Sequence, residues 1–165
     1  MSGDRKTNVM RILEKHEIPY TVTSCPVDEN HLDAVTFAER LGLPPEQVFK
    51  TIVMRDEQNG ICVFCVPGNS EVSLKKARQL PGVSGRIAPV KQNELQAVTG
   101  YIRGGCSPIG MKKNYPTFID ETAILFDTIY VSAGVRGFQV GLNPGDLLRA
   151  AGASYADLTA EPSDF

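Results

Sequence analysis

The sequence predicts an α+β fold in which a mixed, mainly antiparallel and curled sheet is flanked by helices. Segments with helical and with strand periodicity alternate along the 165 residues. Several strand segments are separated by connections too short for the crossover helix that a parallel pair requires. Hydrophobic residues make up 42% and charged residues 22% of the chain, which is typical of a globular protein. We therefore expect one domain spanning residues 1–165.

The first third of the chain predicts two helices separated by a strand. Residues 7–17 place apolar side chains at helical spacing, and the β-rich segment IPYTVTSC follows at 18–25. A second helix is expected over AVTFAERL, residues 34–41. Asp33 is suited to cap its first turn, and Gly42 comes just past its last apolar residue, where helices commonly end.

A hairpin is expected in the middle of the chain. The apolar segments VFKTIVMR, residues 48–55, and GICVFCV, residues 60–66, flank the turn-forming DEQNG. Asn59 and Gly60 form the Asn-Gly pair that favours a tight turn between antiparallel strands.

The remaining segments continue the alternation of helices and strands. Ser73 can cap a helix that Pro81 and Gly82 end, and Asn143 with Pro144 begins a last helix that Gly152 ends. Between them we expect a short strand at 86–88, a helix at 93–98 that ends at Gly100, and strands at 116–120, 128–134 and 137–142.

The charge balance argues against a broad nucleic-acid-binding surface. The net charge is −2 and the isoelectric point is near 5.7, whereas neutralising many phosphates requires clustered Lys and Arg. A nucleic-acid substrate would have to be met locally or delivered by a partner. The charged N-terminus lacks an apolar signal region, and no apolar run approaches the roughly 20 residues of a membrane span. We expect a soluble, cytoplasmic protein.

A metal site is not expected. Cys62 and Cys65 form a CxxC, but residues three apart in a strand point to opposite faces, so their thiols should not converge. The two histidines, His16 and His31, do not have zinc-ligand spacing with the cysteines. Both thiols of the CxxC are better interpreted as small buried hydrophobic groups.

No conventional catalytic motif is present in the sequence. It contains neither a GxxxxGK[ST] phosphate loop nor a GxSxG nucleophile elbow, and no His lies beside a Ser or Cys in a familiar pattern. An enzyme built on this chain would have to work with backbone N–H groups, lysines, hydroxyls and groups that the substrate brings.

Lys50 is unusual because it interrupts an apolar strand. Alternation places it on the same face as Ile52 and Met54, which does not suit a fully solvated lysine. It is either a surface residue or a cation at the rim of a pocket, where it could hold a phosphate or polarise an ester carbonyl.

Two glycine-containing segments are further candidates. In TGYIRGGCSPIGMKK, residues 99–113, Gly104 and Gly105 either form a plain turn or bring backbone N–H groups close to a ligand. Cys106 has no sequence-adjacent histidine that would activate it as a nucleophile. In YVSAGVRG, residues 130–137, Ser132 and Arg136 lie where a strand runs into a second small turn. Short basic pairs at 75–76 and 112–113 are either solvated surface or phosphate contacts.

Taken together, four segments resemble YbaK-type proteins (YbaK/EbsC). These are small bacterial deacylases related to the editing domain inserted in many prolyl-tRNA synthetases. The segments are VFKT at 48–51, TGYIRGGCSPIGMKK at 99–113, PTFID at 116–120 and IYVSAGVRG at 129–137. They follow one another in the family's order and spacing, and the resemblance covers a core of about residues 7–158.

The resemblance implies a YbaK-type fold and an activity. The expected reaction is hydrolysis in trans of mischarged Cys-tRNA(Pro), needed because a pocket discriminates poorly between near-isosteres such as cysteine and proline. Alternatives are a deacylase for another amino acid such as alanine, and a non-catalytic module that binds a tRNA end or a protein partner. The expected partners are the 3′ end of mischarged tRNA(Pro) and, transiently, prolyl-tRNA synthetase. No cofactor, metal or membrane is implied.

The resemblance also assigns candidate site residues. Members of this branch are expected to use the substrate's own thiol, releasing the amino acid by hydrolysis or as a thiolactone, so Cys106 need not be catalytic. Candidate catalytic residues are Lys50, Gly104 and Gly105, and candidate substrate-binding residues are Tyr20, Thr51, Pro108, Ser132, Gly134 and Arg136.

Overall fold

The computed structural model of the protein describes residues 6–26 and 33–161. His31 lies outside these residues. Within them the helices are α1 (Asn8–Lys15), α2 (Ala34–Leu41), α3 (Leu74–Ala77), α4 (Gln92–Thr99) and α5 (Pro144–Ala151). The strands are β1 (Thr21–Ser24), β2 (Phe49–Asp56), β3 (Ile61–Pro67), β4 (Ile87–Pro89), β5 (Thr117–Asp120), β6 (Ile129–Ser132), β7 (Phe138–Leu142) and β8 (Ser154–Ala156). Short 3₁₀ turns span Pro45–Gln47 and Glu121–Leu125.

The strands form two sheets that meet at one point. One is antiparallel with the order β1-β7-β6, and the other is mixed with the order β4-β2-β3-β5-β8. In the second sheet β3–β5 and β5–β8 pair in parallel. A parallel bridge between Val48, which directly precedes β2, and Tyr130 of β6 joins the two sheets. The predicted α+β fold with a mixed, mainly antiparallel curled sheet is confirmed.

Helix ends follow the capping residues read from the sequence. The Asp33 carboxylate accepts a hydrogen bond from the Thr36 N–H at 2.7 Å, and α2 ends at Gly42, whose φ is +69°. Asn143 caps α5 in the same way, with Gly145 as donor at 2.9 Å. These local contacts explain why both helices begin and end where the sequence predicts.

The predicted hairpin is formed by β2 and β3. Their register runs from the Phe49–Pro67 pair to the Arg55–Ile61 pair, and Asn59 adopts φ +63° in the turn. The Asp56 carboxylate accepts hydrogen bonds from the backbone N–H groups of Gln58 and Gly60 in the turn and of Ser84. These hydrogen bonds hold the pKa of Asp56 below its usual value.

Hydrophobic side chains pack on both faces of β3, in two clusters. Cys65 lies in the cluster with Leu13 and Leu147, whereas Cys62 lies in the cluster with Phe64 and Met54. The prediction that the two thiols face opposite sides is therefore confirmed. Burial raises the pKa of Cys62 to about 11 and that of Cys65 to about 12, so both remain protonated at neutral pH.

Two features differ from the sequence-based expectation. The helix that Ser73 caps stops at Ala77, before the predicted end at Pro81-Gly82, because the chain there makes successive turns instead of a full helix. Strand β8 was not predicted, since a three-residue strand has too little alternation to be recognised. In the described part of the chain, none of the helices is long and apolar enough to cross a membrane.

Candidate active site

A small cavity of about 220 Å³ opens beside β2, near the point where the two sheets meet. One edge of β2 pairs with β3 along its length, but on the other edge β4 pairs only with Met54–Asp56. Within the described chain, residues 49–52 therefore have no strand partner on that second edge, where the nearest pairing is the Val48 bridge. The opening left by this gap is lined by Asp33, Ala34, Phe49, Lys50, Thr51, Ile52, Arg103, Gly104, Cys106, Ser132 and Gln139. Residues from β2, α2, the glycine-rich loop and the antiparallel sheet thus meet at one place.

Lys50 contributes a partly shielded positive charge to this cavity. Its side chain is 24% exposed, and its Nζ lies 3.3 Å from Oε1 of Glu71, which is 71% exposed. Ion pairs with such an exposed partner contribute only about 0.2–1 kcal/mol. The ammonium can therefore exchange Glu71 for an anionic or carbonyl oxygen of a ligand at little cost.

The glycine-rich loop packs directly against the turn after β6. A Cβ atom built on Gly105 would lie 3.2 Å from the backbone atoms of Val135 and Arg136, so any larger residue would press the two segments apart. The Arg136 guanidinium Nε donates to the Arg103 carbonyl at 2.9 Å, which fixes the same two segments to each other. The two loops predicted separately from the sequence therefore form one wall.

Backbone donors of this loop differ in their availability. The Gly105 N–H donates to the Ile102 carbonyl at 3.0 Å, which closes a turn. Gly104 has φ +85° and lines the cavity together with Cys106, and neither N–H has an acceptor within the described residues. Of these three N–H groups, that of Gly105 is thus occupied, whereas those of Gly104 and Cys106 have no acceptor in the described chain.

Hydroxyl groups line the cavity beside the loop. Ser132 is buried, and its Oγ accepts a hydrogen bond from the Gly134 N–H at 3.1 Å, which leaves its own O–H free to donate. The Thr51 Oγ1 lies 3.8 Å from Sγ of Cys65 on the neighbouring strand.

A row of three polar side chains crosses the antiparallel sheet and ends at the cavity. Thr23 is paired with Gln139 across β1 and β7, and Gln139 is paired with Ser132 across β7 and β6, so all three share one face. Within the described chain, Thr23 Oγ1 and Gln139 Oε1 are buried without a hydrogen-bond partner. A buried acceptor without a donor is destabilising, so a partner for Gln139 from a ligand would relieve this cost.

Cys106 is not activated as a nucleophile. Burial raises the pKa of its thiol to about 11, so that almost all of it is protonated at neutral pH. Because the reactive form of cysteine is the thiolate, this environment disfavours attack by Cys106 on a substrate.

The structure brings together some of the nine predicted site residues and not others. Lys50, Thr51, Gly104 and Ser132 line the cavity, and Gly105 and Arg136 lie in the wall behind it. Three others do not line it: Tyr20 donates its hydroxyl to Glu14, Gly134 packs against Tyr101 and Val9, and Pro108 lines a different cavity. The catalytic and substrate-binding roles of all nine stay predictions, since lining the cavity shows where a residue lies and not what it does.

Comparison with known proteins places the chain in a family. Residues 28–150 match the family described as "Aminoacyl-tRNA editing domain". The chain belongs to this family. The predicted resemblance is thereby confirmed, and an aminoacyl-tRNA is the class of substrate that the family handles.

Relatives of this chain include a protein of similar length and part of a much longer synthetase. The chain is 41% identical over 157 residues to "Putative Cys-tRNA(Pro)/Cys-tRNA(Cys) deacylase EbsC" of Enterococcus faecalis, covering 95% of each. It is 29% identical over 114 residues to "Proline--tRNA ligase" of Ralstonia pickettii, covering 66% of this chain and 20% of the ligase. A crystal structure titled "a putative trans-editing enzyme for prolyl tRNA synthetase" superposes with a TM-score of 0.79 at 25% identity, covering 95% and 100% of the two chains.

Residues of the editing domain that sequence reasoning missed come mainly from the walls of the cavity. Arg103 and Gln139 line it as polar groups, and Asp33 lines it in addition to capping α2. Gln139 carried a usable signal, because it interrupts the apolar strand FQVGL much as Lys50 interrupts its own. Arg103 had no comparable sequence signal, because a single arginine in a loop usually lies on the surface in contact with solvent.

Proposed function

We propose that this protein is a trans-editing deacylase that hydrolyses the ester bond of mischarged Cys-tRNA(Pro) in the cytoplasm. Residues 1–165 would act as one editing domain. The observation that carries the proposal is a small cavity that holds an ammonium, free backbone N–H groups and hydroxyls, but no activated nucleophile. Such a site suits a substrate that supplies its own nucleophile.

The size of the cavity favours a small amino acid. Its volume of about 220 Å³ lies below the 300–1,000 Å³ that is typical of sites for drug-sized ligands. Phe49, Ile52 and Ala34 provide apolar wall against which a short side chain can pack. Cysteine fits this description, and so does alanine, which makes the amino acid a matter for direct assay.

The charged and polar groups can stabilise the developing negative charge on the ester oxygen. In the proposed mechanism the N–H groups of Gly104 and Cys106 donate to this oxygen, and Lys50 lies beside it or contacts the 3′-terminal nucleotide. The walls hold the aminoacyl group in one orientation, which removes the entropic cost of alignment. These groups therefore position the substrate and stabilise its developing charge without forming a covalent intermediate.

The substrate thiol is the nucleophile in this proposal. Its sulfur forms a bond to the ester carbonyl carbon, the carbon–oxygen bond to the ribose breaks, and the thiol proton passes to the ribose oxygen. The products are uncharged tRNA and a cyclic thiolactone of cysteine. Water then opens the thiolactone ring. No thiolate of the enzyme is needed, in agreement with the raised pKa of Cys106.

Prolyl-tRNA synthetase is the proposed transient partner. A chain of net charge −2 has little general affinity for RNA, so a synthetase that already holds the tRNA would supply the remaining contacts. The related domain found within a proline–tRNA ligase supports this pairing.

The test of this function is a hydrolysis assay with tRNA(Pro) charged in turn with cysteine, alanine and proline. We expect Cys-tRNA(Pro) to be hydrolysed fastest, and added prolyl-tRNA synthetase to raise the rate at limiting tRNA. Preferred hydrolysis of Ala-tRNA(Pro) would support the alanine alternative. A rate no faster than in buffer for all three would contradict the enzyme function and leave a binding module.

A Cys106→Ser variant belongs in the same assay, because it separates the substrate thiol from the enzyme thiol. We expect it to retain at least about half of the wild-type rate, since a thiol with a raised pKa is a poor nucleophile. Loss of nearly all activity in a folded variant would instead make Cys106 the nucleophile.

Gln139 is the proposed acceptor for the amino group of the substrate. Gln139→Leu should raise KM for Cys-tRNA(Pro) by about tenfold, because a hydrogen bond to a charged group contributes about 1.5–3 kcal/mol. The free energy of unfolding should not fall, since the variant removes a buried acceptor that has no partner in the described chain. Steady-state kinetics and chemical denaturation measure both, with the exposed Gln96→Leu as control. An unchanged KM would remove Gln139 from the site.

A further inference from the structure

A second cavity, which we call the basic cavity, has a volume of about 570 Å³ and a different chemistry. It lies between the C-terminal ends of α1 and α5 and the segment 108–117, which begins within the glycine-rich segment 99–113. Its polar and charged lining consists of Lys15, His16, Lys113, Asn114, Tyr115, Thr117 and Arg149.

Positive charge accumulates in the basic cavity although the chain as a whole is acidic. Lys15, Lys113 and Arg149 line it, whereas no carboxylate does among residues 6–26 and 33–161. Arg149 shares its charge with Asp146 at 3.1 Å. Neither Lys15 nor Lys113 has an ion-pair partner in the described chain. Two ammonium groups therefore face this space without a countercharge.

Helix stabilisation accounts for part of this charge but not for all of it. Lys15 and Arg149 lie in the last turns of α1 and α5, where a cation interacts favourably with the helix dipole. Lys113 lies in a loop and stabilises no helix end. Its position beside the other two cations calls for a separate reason, and an anionic ligand supplies one.

We propose that the basic cavity binds a backbone phosphate of the RNA whose 3′ end enters the candidate active site. The inference rests on the proposed function and adds a second contact to it. Cys106 lines the active-site cavity and Pro108 lines the basic cavity. These two residues are two positions apart in the chain, so their Cα atoms are separated by at most about 7 Å. One loop therefore borders both cavities, and in this proposal a single RNA strand spans them.

The overall acidity of the protein makes such a local site useful. Affinity for RNA arises from the phosphates that Lys and Arg neutralise, and in this chain 17 Lys and Arg are outnumbered by 19 Asp and Glu. A cavity that places two unpaired lysines and one arginine together can bind one phosphate group without attracting nucleic acids generally.

The test measures binding of uncharged tRNA(Pro) by fluorescence anisotropy over a series of low salt concentrations. Lys113→Glu and Lys15→Glu should each weaken binding by roughly fivefold and make the slope of log K against log salt shallower by about 0.7–1. The exposed Lys91→Glu, which changes the charge equally but lines neither cavity, should have a smaller effect on both quantities. Lys113→Gln provides a milder variant if charge reversal prevents folding, which circular dichroism checks.

Three outcomes would overturn the inference. One is that Lys113→Glu and Lys15→Glu bind tRNA as the Lys91→Glu control does. Another is that they lose binding to purified prolyl-tRNA synthetase while keeping tRNA affinity, which would make the cavity a site for an acidic protein surface. The third is binding of inorganic phosphate that depends on Lys113, together with unchanged tRNA affinity, which would indicate a site for small anions.

The binding measurement also keeps this inference separate from the deacylase function. Uncharged tRNA carries no ester, so its binding does not depend on hydrolysis. If the wild type hydrolyses Cys-tRNA(Pro) but the variants bind tRNA normally, only the phosphate site is wrong. If tRNA binding depends on Lys113 but no charged tRNA is hydrolysed, only the deacylase function is wrong.

Discussion

Replacing Lys50 by Met is expected to lower the rate of Cys-tRNA(Pro) hydrolysis by about 10²- to 10³-fold, the usual cost of removing a donor that stabilises developing negative charge. Methionine keeps most of the aliphatic length of lysine, so the variant removes the charge and preserves the packing beside Ile52. Single-turnover kinetics with saturating enzyme separates this loss from a change in affinity.

The fold should tolerate this change. The only ion pair that Lys50 makes in the described chain is with the exposed Glu71, so the free energy of unfolding should fall by less than about 1 kcal/mol. Lys91→Met, at an exposed lysine outside both cavities, is the matched control and should retain the wild-type rate. A folded Lys50→Met variant with wild-type hydrolysis would exclude Lys50 from the reaction and favour a non-catalytic binding module.

Lys50 also illustrates how far the sequence alone determines the site. Alternation in FKTIVM placed this lysine on a face with two apolar side chains, and the structure finds it partly shielded at a cavity, as that pattern indicated. The partner Glu71 was not predictable, because it lies 21 residues further on and contacts Lys50 only after β3 has folded back. Contacts of this kind depend on tertiary packing that no local pattern encodes.

Most helix and strand boundaries could be predicted because they are set by local chemistry. The first turns of α2 and α5 are capped by Asp33 and Asn143, and the two helices end at Gly42 and Gly152. All four residues act through contacts within a few positions of the chain. The division of the strands into two sheets could not be predicted, because it depends on which strands pair with partners that are distant in the sequence. The cavity exists because of that division, so its lining was only partly accessible from the sequence.

The candidate oxyanion donors show the same limit at the scale of one loop. The sequence singled out Gly104 and Gly105 together, because glycine permits close approach of the backbone. In the structure the Gly105 N–H is occupied by the Ile102 carbonyl, and Gly105 serves instead as the contact surface for the turn after β6. The two glycines therefore have separate roles, the first facing the cavity and the second holding its wall in place.

Gly105→Val follows from this division of roles and is expected to reduce hydrolysis of Cys-tRNA(Pro) by roughly 10- to 100-fold. A Cβ at this position already lies 3.2 Å from backbone atoms of Val135 and Arg136, which cannot rotate aside. The branched side chain must push the glycine-rich loop away from the turn, displacing the N–H groups of Gly104 and Cys106. Displacement of catalytic groups by about 1 Å commonly costs about 10² in rate.

The loss of activity should exceed what destabilisation alone explains. Overpacking at a buried site costs about 1–3 kcal/mol, which urea denaturation measures. Gly42→Ala is a control with a comparable stability cost of about 1–2 kcal/mol, because Gly42 has φ +69° but open space around its Cβ position. This control should unfold more easily yet hydrolyse at the wild-type rate under folding conditions. Equal losses of activity in both variants would mean that the wall formed by Gly105 has no specific role, and that Gly104 and Cys106 do not depend on it for their positions.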